Sequence, residues 1–278
     1  MNDKRYAFIG GGNMARSLIG GMINDGCNPK QIWVSDPSSE QRQQLNTAIG
    51  VQTTESNLEA VQQTDVVVLA VKPQVIEAVA TEIGSTIQQL KHPVISIAAG
   101  IRCCDLERWL GGNCAVIRTM PNTPALVGCG ATALFANPIT TAEQRDLAEF
   151  IMRAVGLTLW LDDEPSMDAV TALSGSGPAY FFLLMESLEN AGCQAGLPRE
   201  TARLLTLQTA FGAAKMALES SDDSATLRKR VTSPGGTTEQ AIRVMEAGGY
   251  QALINNAVQR AQARAEELAD ILGNSKNG

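Results

Sequence analysis

The chain has 278 residues, a formal net charge of −7 at pH 7 and a single histidine. A length of this order predicts two domains and a large core, and the acidic balance argues against nucleic acid or an anionic membrane surface as a partner. No apolar run approaches the roughly 18 residues of a membrane span, and Lys4 and Arg5 precede no apolar segment long enough for a secretion signal, so a cytoplasmic location is expected.

Arg5-Tyr6-Ala7-Phe8-Ile9 reads as a short strand that runs into Gly10-Gly11-Gly12-Asn13-Met14-Ala15. Ala15, Leu18, Ile19, Met22 and Ile23 then recur at helical spacing. Gly-x-Gly-x-x-Ala between a strand and a helix is a dinucleotide fingerprint. Gly10 allows the tight turn, Gly12 lets the backbone approach a pyrophosphate, and Ala15 permits close helix–strand packing. The helix start then faces the phosphates. The second strand, Gln31–Ser35, leads into Asp36-Pro37-Ser38-Ser39. Asp36 there can chelate a ribose 2′-OH, which favours NAD. Ser35, Ser38, Ser39 and Arg42 can instead surround a 2′-phosphate, which favours NADP.

Asp65–Val71 is a nearly continuous apolar run, as expected of a central parallel strand. Pro93–Ile97 and Cys114–Arg118 are two more strands, with helices expected around Ser39–Ala48, Ser56–Gln62, Gln74–Ile83 and Cys104–Leu110. This rhythm predicts an α/β domain with a Rossmann-like, doubly wound parallel sheet, whose cleft lies beyond the C-terminal strand ends. Val71-Lys72-Pro73, Ala98-Ala99-Gly100 and Met120–Pro124 therefore matter most. Lys72 is the only lysine at a predicted strand end; it is either a charge near cofactor or substrate, or a surface lysine on a turn. A last helix (Ala142–Val155) and strand (Leu157–Leu161) close this half.

Beyond Asp162–Pro165 the β-rich runs stop. Pro178–Ala191, Arg199–Glu219, Ser224–Arg230, Thr238–Ala247 and Tyr250–Leu272 read as helices, which divides the chain into a sheet domain at residues 1–163 and an all-helical domain at 164–278. Tyr180–Met185 is apolar almost all round, so its helix is expected to be buried on several sides and to build a subunit interface. The polar tail Asn274–Gly278 is expected to fray.

Val231-Thr232-Ser233-Pro234-Gly235-Gly236-Thr237-Thr238-Glu239 gathers hydroxyls, a rigid Pro and two Gly ahead of a helix. Backbone N–H groups at a helix start favour an anion, and the Gly pair lets it approach closely. This is a candidate site for a small carboxylate; the alternative is a capped turn with Thr as N-cap and Glu in the first turn.

Other chemistries lose their residues. His92 precedes Pro93 at a strand entry and reads as a solvated loop residue, which argues against Ser–His–Asp catalysis and a His-based zinc site. The six cysteines show no CxxC pair and no metal-ligand spacing, so reduced thiols and no metal site are expected. The adjacent Cys103-Cys104 is the one redox candidate. An imine substrate would relax the need for a strong acid, because it can bind already protonated and take a hydride at the C=N carbon.

The sequence resembles the pyrroline-5-carboxylate reductase family nearly end to end. The matching segments are Phe8–Met14, Ala70–Gln74, Ser96–Gly100, Met120–Ala125, Ser174-Gly175-Ser176-Gly177-Pro178-Ala179-Tyr180 and Ser233-Pro234-Gly235-Gly236-Thr237-Thr238, the last two being the most diagnostic. The resemblance implies NAD(P)H-dependent reduction of the C=N bond of Δ1-pyrroline-5-carboxylate to L-proline, the last step of proline biosynthesis. It also implies an N-terminal Rossmann domain, a helical C-terminal dimerisation domain, and a homodimer that in some members builds rings of dimers. NADPH is the expected cofactor, with NADH as the other. The implied roles are Thr238 as proton donor to the ring nitrogen, and Ser233, Gly235, Gly236 and Thr237 around the substrate carboxylate. Ser174, Gly175 and Pro178 lie near the nicotinamide. Gly10, Gly12, Asn13, Met14, Ser35, Asp36, Asn57, Ala70, Val71, Lys72, Pro73, Ala98, Ala99, Gly100 and Asn122 line the cofactor.

Two other readings stay open on the residues alone. A reductase of the β-hydroxyacid or prephenate dehydrogenase type needs a Lys or His acid/base on the central helix, where this chain offers Glu186, Glu189 and Asn190. A non-catalytic dinucleotide-binding regulator keeps Gly10–Ala15 but has no need of the Ser233–Thr238 segment.

Overall fold

The computed structural model describes residues 3–274. The tail expected to fray lies outside them, apart from Asn274. Two compact units result: one runs from the N-terminus to Ser176 and takes in the segment from Ala261 on, and the other is Gly177–Arg260.

The first unit is built on an eight-stranded sheet in the order β3-β2-β1-β4-β5-β6-β7-β8. The strands are β1 (Tyr6–Ile9), β2 (Ile32–Ser35), β3 (Gln52–Thr54), β4 (Val66–Leu69), β5 (Val94–Ser96), β6 (Val116–Met120), β7 (Gly130–Ala136) and β8 (Gly156–Trp160). β1 to β6 are mutually parallel, with Phe8 aligned on Val34 and Val68. The apolar runs need no polar alternation because both faces are covered. Tyr6, Phe8, Val66 and Val68 point into one core, and Ala7, Ile9, Val67 and Leu69 into the other. Helix α1 (Asn13–Asn24) brings Ala15, Leu18, Ile19 and Met22 to the first core, the stripe its spacing predicts. The connections after β2 and β3 are α2 (Ser39–Ile49) and α3 (Asn57–Gln62); those after β4 and β5 are α4 (Ile76–Leu90) and α5 (Cys103–Trp109). Ile76, Ala80, Ile83 and Ile87 of α4 fill the second core.

The sheet is parallel with one exception. β7 runs antiparallel to β6, pairing Arg118 with Phe135, and β8 follows β7 in parallel. Between β7 and β8 lies α6 (Ala142–Arg153), which starts on a capping box of Thr141 and Gln144. β8 is followed by α7 (Ser166–Val170) and a π-helical turn at Thr171–Gly175, just beyond the boundary expected at Asp162–Pro165.

The second unit is helical. It contains α8 (Gly177–Gln194), α9 (Arg199–Glu219), α10 (Ser224–Arg230), α11 (Thr237–Ala247) and the first half of α12 (Tyr250–Gly273). α8 packs on α9, where a Cβ on Gly192 would lie 3.1 Å from Ala202 Cβ. The expectation that α8 is buried on several sides does not hold within one chain. Phe181, Phe182 and Leu183 are each more than 60% exposed, and Leu204, Leu205 and Phe211 of α9 are exposed as well. Among the described residues, no helix is long and apolar enough to cross a membrane.

Candidate active site

In the sheet unit the strand order changes direction between β1 and β4, where Gly10 and Ala70 directly follow their strands. Gly10 adopts φ +100°, and a Cβ there would lie 2.6 Å from the Ala70 carbonyl oxygen, so only glycine fits the turn. Its N–H donates to the Ser35 carbonyl at 2.8 Å, which ties the turn to β2. Gly12 is the N-cap of α1 with extended backbone and no side-chain cap. Nothing lies within 4 Å of a Cβ built on it. An uncapped helix start with open space above its N-cap glycine is what a pyrophosphate requires, so the residues present fit a dinucleotide.

The ribose end is organised by Asp36. One carboxylate oxygen accepts the Gly11 N–H at 2.9 Å and the other the Ser38 N–H at 2.9 Å. Arg42 donates to the Asp36 and Pro37 carbonyls at 2.7 and 3.0 Å. Ser35 is buried and donates to Asn57 Oδ1 at 2.7 Å, while Asn57 donates to Glu82 at 2.8 Å. Ser35, Asp36, Asn57 and Arg42 therefore form one connected edge. After β4, Val71 and Pro73 are half-buried and Lys72 is exposed at the N-cap of a 3₁₀ turn. After β5, Ala98 is buried, Ala99 exposed, and Gly100 turns the chain at φ +75°.

Asn122 follows β6. Its amide nitrogen donates to the carbonyl and hydroxyl oxygens of Ser174, both at 3.2 Å, and its Oδ1 accepts the Ala131 N–H at 2.9 Å. The π turn closes with Ser176 N–H to Thr171 O at 2.9 Å. A Cβ on Gly175 would lie 2.5 Å from Met120 Cε. Such π turns are frequent at functional sites. The segment is held from below by a cluster that sequence reasoning missed. Arg118 is buried in β6 and pairs with Glu164 at 3.1 Å and Asp168 at 3.5 Å; Glu164 also accepts the Cys103 N–H at 2.8 Å. Burial pushes the Asp168 carboxyl above its ordinary range, with Arg118 and Arg102 opposing the shift. The signal was present: a lone arginine inside an apolar strand run, and two acids four residues apart.

In the helical unit, Ser233 precedes a tight turn in which Gly235 takes φ +73°. The Gly236 N–H donates to the Ser233 carbonyl at 3.0 Å, and the Gly235 N–H donates to Glu239 at 2.9 Å. Glu239 also pairs with Arg243 at 3.2 Å. Gly236 is the N-cap of α11 and supplies no side-chain cap. The N–H groups of Thr237 and Thr238 thus open the helix with no intrahelical partner, next to the exposed Ser233, Thr237 and Thr238 side chains. The capped-turn reading is half right. Glu239 does reach back, but no threonine caps the helix.

Two expectations about other residues change. His92 is half-buried rather than solvated: its Nε2 is buried without a hydrogen-bond partner, and burial lowers its pKa. It stands at the N-terminal entry of β5, away from the C-terminal strand ends. Cys103 is buried and Cys104 exposed. Burial raises both thiol pKa values, most strongly for Cys103, which disfavours the reactive thiolate. All six cysteines are free, and among the described residues no cluster could hold a metal ion.

Comparisons with known proteins align with this geometry. Residues 164–268 match the family model described as pyrroline-5-carboxylate reductase dimerisation, and residues 5–100 match one described as NADP oxidoreductase, coenzyme F420-dependent. The chain is similar to the pyrroline-5-carboxylate reductase of Pseudomonas aeruginosa, at 52% identity over 98% of this chain and 100% of that protein. It is similar in structure to a pyrroline-5-carboxylate reductase from Coxiella burnetii, with TM-score 0.93, 48% identity, and 96% and 99% of the two chains covered. The pyrroline carboxylate reductase of Plasmodium falciparum with NADP bound superimposes with TM-score 0.85 at 29% identity, covering 97% of this chain and 99% of that one.

Proposed function

The chain belongs to the pyrroline-5-carboxylate reductase family, and from that premise we propose that it reduces Δ1-pyrroline-5-carboxylate to L-proline with NAD(P)H. The observation that carries the reading is the presence in one chain of two different uncapped helix starts. One is built of glycine for a dinucleotide and the other is lined by hydroxyls for a carboxylate. Gly10, Gly12, Asn13 and Met14 hold the pyrophosphate, and Ser35, Asp36 and Asn57 the adenosine ribose. Ala70, Val71, Lys72, Pro73, Ala98, Ala99, Gly100 and Asn122 line the remainder of the cofactor. The bound nicotinamide supplies the hydride that reduces the C=N carbon.

This chain's own residues supply the rest. The Ser233 hydroxyl and the Thr237 N–H bind the substrate carboxylate. Gly236 spends its N–H on the Ser233 carbonyl and contributes mainly its lack of a side chain, since a Cβ there would lie 3.1 Å from that oxygen. Gly235 supplies the positive φ. The Thr238 hydroxyl, one residue further into the helix, donates to the ring nitrogen, completing an amine from imine, hydride and proton. Ser174, Gly175 and Pro178 shape the nicotinamide end. The test is oxidation of NAD(P)H by the purified protein with pyrroline-5-carboxylate, run beside β-hydroxyacid and prephenate dehydrogenations. Turnover with pyrroline-5-carboxylate alone is expected; turnover with a hydroxyacid alone would refute the assignment.

NADPH is the preferred cofactor in this reading, and the Plasmodium relative has NADP bound. Asp36 limits that preference because its carboxylate faces the ribose edge. Asp36→Ala is expected to raise the NADPH/NADH ratio of kcat/KM about tenfold, equivalent to about 1.4 kcal/mol. An unchanged ratio would mean that Asp36 serves only to hold the Gly11 and Ser38 N–H groups.

The functional division falls at 163/164, in keeping with the start of the dimerisation match at residue 164. The homodimer is built by the helical domain, whose exposed Phe181, Phe182 and Leu183 would be a liability on a monomer, and rings of dimers follow from further contacts. Light scattering at micromolar concentration is expected to report a dimer or a multiple of it, and Phe182→Glu to shift it toward monomer. A wild-type monomer would rule this out. Six free thiols support a reducing, cytoplasmic setting.

A further inference from the structure

The loop that follows β5 touches two different things. Ala98, Ala99 and Gly100 face the cofactor cleft in the reading above, and the same loop is braced by the last turns of α12. Arg102, two residues past Gly100, pairs with Asp270 at 2.7 Å. A Cβ on Gly100 would lie 3.2 Å from Leu272 Cδ1. Leu272 packs into the same hydrophobic cluster as Ala98 and Ile101. Near the end of α5, Arg108 donates to the Gly273 carbonyl at 2.7 Å while pairing with Asp105 at 2.8 Å. Ala269 is fully buried in the contact. These contacts all lie within the sheet unit, and the turn that makes them, residues 269–273, lies beyond the end of the dimerisation match at residue 268.

We propose that this last turn of α12 is a positioning element of the cofactor site, with Asp270 and Leu272 as positioning residues that set the Ala98–Arg102 loop against the dinucleotide. Gly100 turns the chain at φ +75°, which glycine adopts without strain, so the course of the loop is set by what holds its two ends. β5 holds one end and α12 the other. In the Arg102–Asp270 pair Asp270 is exposed and Arg102 half-buried, so solvent screens the pair and it adds little to global stability. Its effect is local, on where the loop stands. The inference rests on the assignment of Ala98–Gly100 to the cofactor, and not on the identity of the substrate.

The experiment is NADPH binding, followed by nicotinamide fluorescence, to the full chain and its variants without substrate. Asp270→Ala and Leu272→Ala are each expected to weaken NADPH about three- to thirtyfold, the range for residues that act through another element. For Asp270→Ala the melting temperature should stay within about 2 °C of wild type. Glu267→Ala, which removes the exposed Arg264 pair on the same helix, is expected to change neither. The reversed pair, Arg102→Asp with Asp270→Arg, is expected to recover most of the affinity lost in Asp270→Ala. If both single variants bind NADPH within about twofold of wild type, the helix end does not position the loop. The same follows if Glu267→Ala weakens binding equally, or if the reversed pair melts as wild type does but recovers none of the affinity. Should Leu272→Ala fail to fold, the Asp270 series decides alone. Wild-type NADPH binding without pyrroline-5-carboxylate turnover would count against the proposed reaction and leave this inference standing.

Discussion

Gly12→Val is expected to abolish cofactor binding while leaving the fold intact. The two consequences separate because Gly12 has nothing within 4 Å of a built Cβ, whereas Gly10 has a carbonyl oxygen at 2.6 Å and a positive φ. The Cβ of a valine at position 12 meets no protein atom. Its extended backbone, φ −68° and ψ −179°, is one that β-branched residues adopt readily. The branched side chain instead fills the space over the start of α1 where the pyrophosphate would lie. NADPH affinity should fall at least about a hundredfold, or about 2.7 kcal/mol, as measured by fluorescence titration. The melting temperature should move by only a few degrees. Affinity within about threefold of wild type would show that no phosphate approaches Gly12. An unfolded Gly12→Val would show that the space is not open. Gly10→Ala is the converse case, in which stability is lost first.

Much of this architecture was legible because the signals were local. A strand buried on both faces leaves an apolar run such as Val66–Leu69, and a helix on one face leaves a stripe such as Ala15, Leu18, Ile19 and Met22. The glycine fingerprint was legible because a turn at φ +100° against a neighbouring carbonyl excludes every other residue. β7 was not, because Gly130, Ala131 and Ala133 at its start are residues of low strand propensity, and its pairing with β6 is decided by tertiary contact. β3 escaped because its three residues, Gln52–Thr54, are too few and too polar to leave an apolar run. Within the site, residue types were legible and hydrogen-bond partners were not. Asp36 was read as a ribose ligand, yet its two oxygens also hold Gly11 and Ser38. The return of Asp270 and Leu272 to the β5 loop has no trace in local sequence. It joins residues more than 160 positions apart, and only the fold brings them together.

Thr238→Ala and Ser233→Ala should have different kinetic signatures, which makes the substrate loop the sharpest test of the proposed chemistry. If the Thr238 hydroxyl donates to the imine nitrogen, its loss should lower kcat about 10²- to 10⁴-fold, the range for losing a positioned proton donor. KM should change little. The effect will fall at the lower end of that range if water takes over the donation or the iminium binds already protonated. Ser233→Ala should raise KM more than it lowers kcat, because the carboxylate is held equally in the ground and transition states. Neither change should disturb the helix, since no side chain caps α11 and the loop is fastened by Gly236 N–H to Ser233 O and by Gly235 N–H to Glu239. None of these bonds uses a Ser233 or Thr238 side chain, so a loss of activity cannot be ascribed to a collapsed turn. Steady-state kinetics with pyrroline-5-carboxylate at saturating NADPH decide the matter. Full kcat in Thr238→Ala with a collapsed kcat in Ser233→Ala would exchange the two roles. Unchanged turnover in both would reduce the Ser233–Thr238 segment to a helix start and move the substrate site elsewhere.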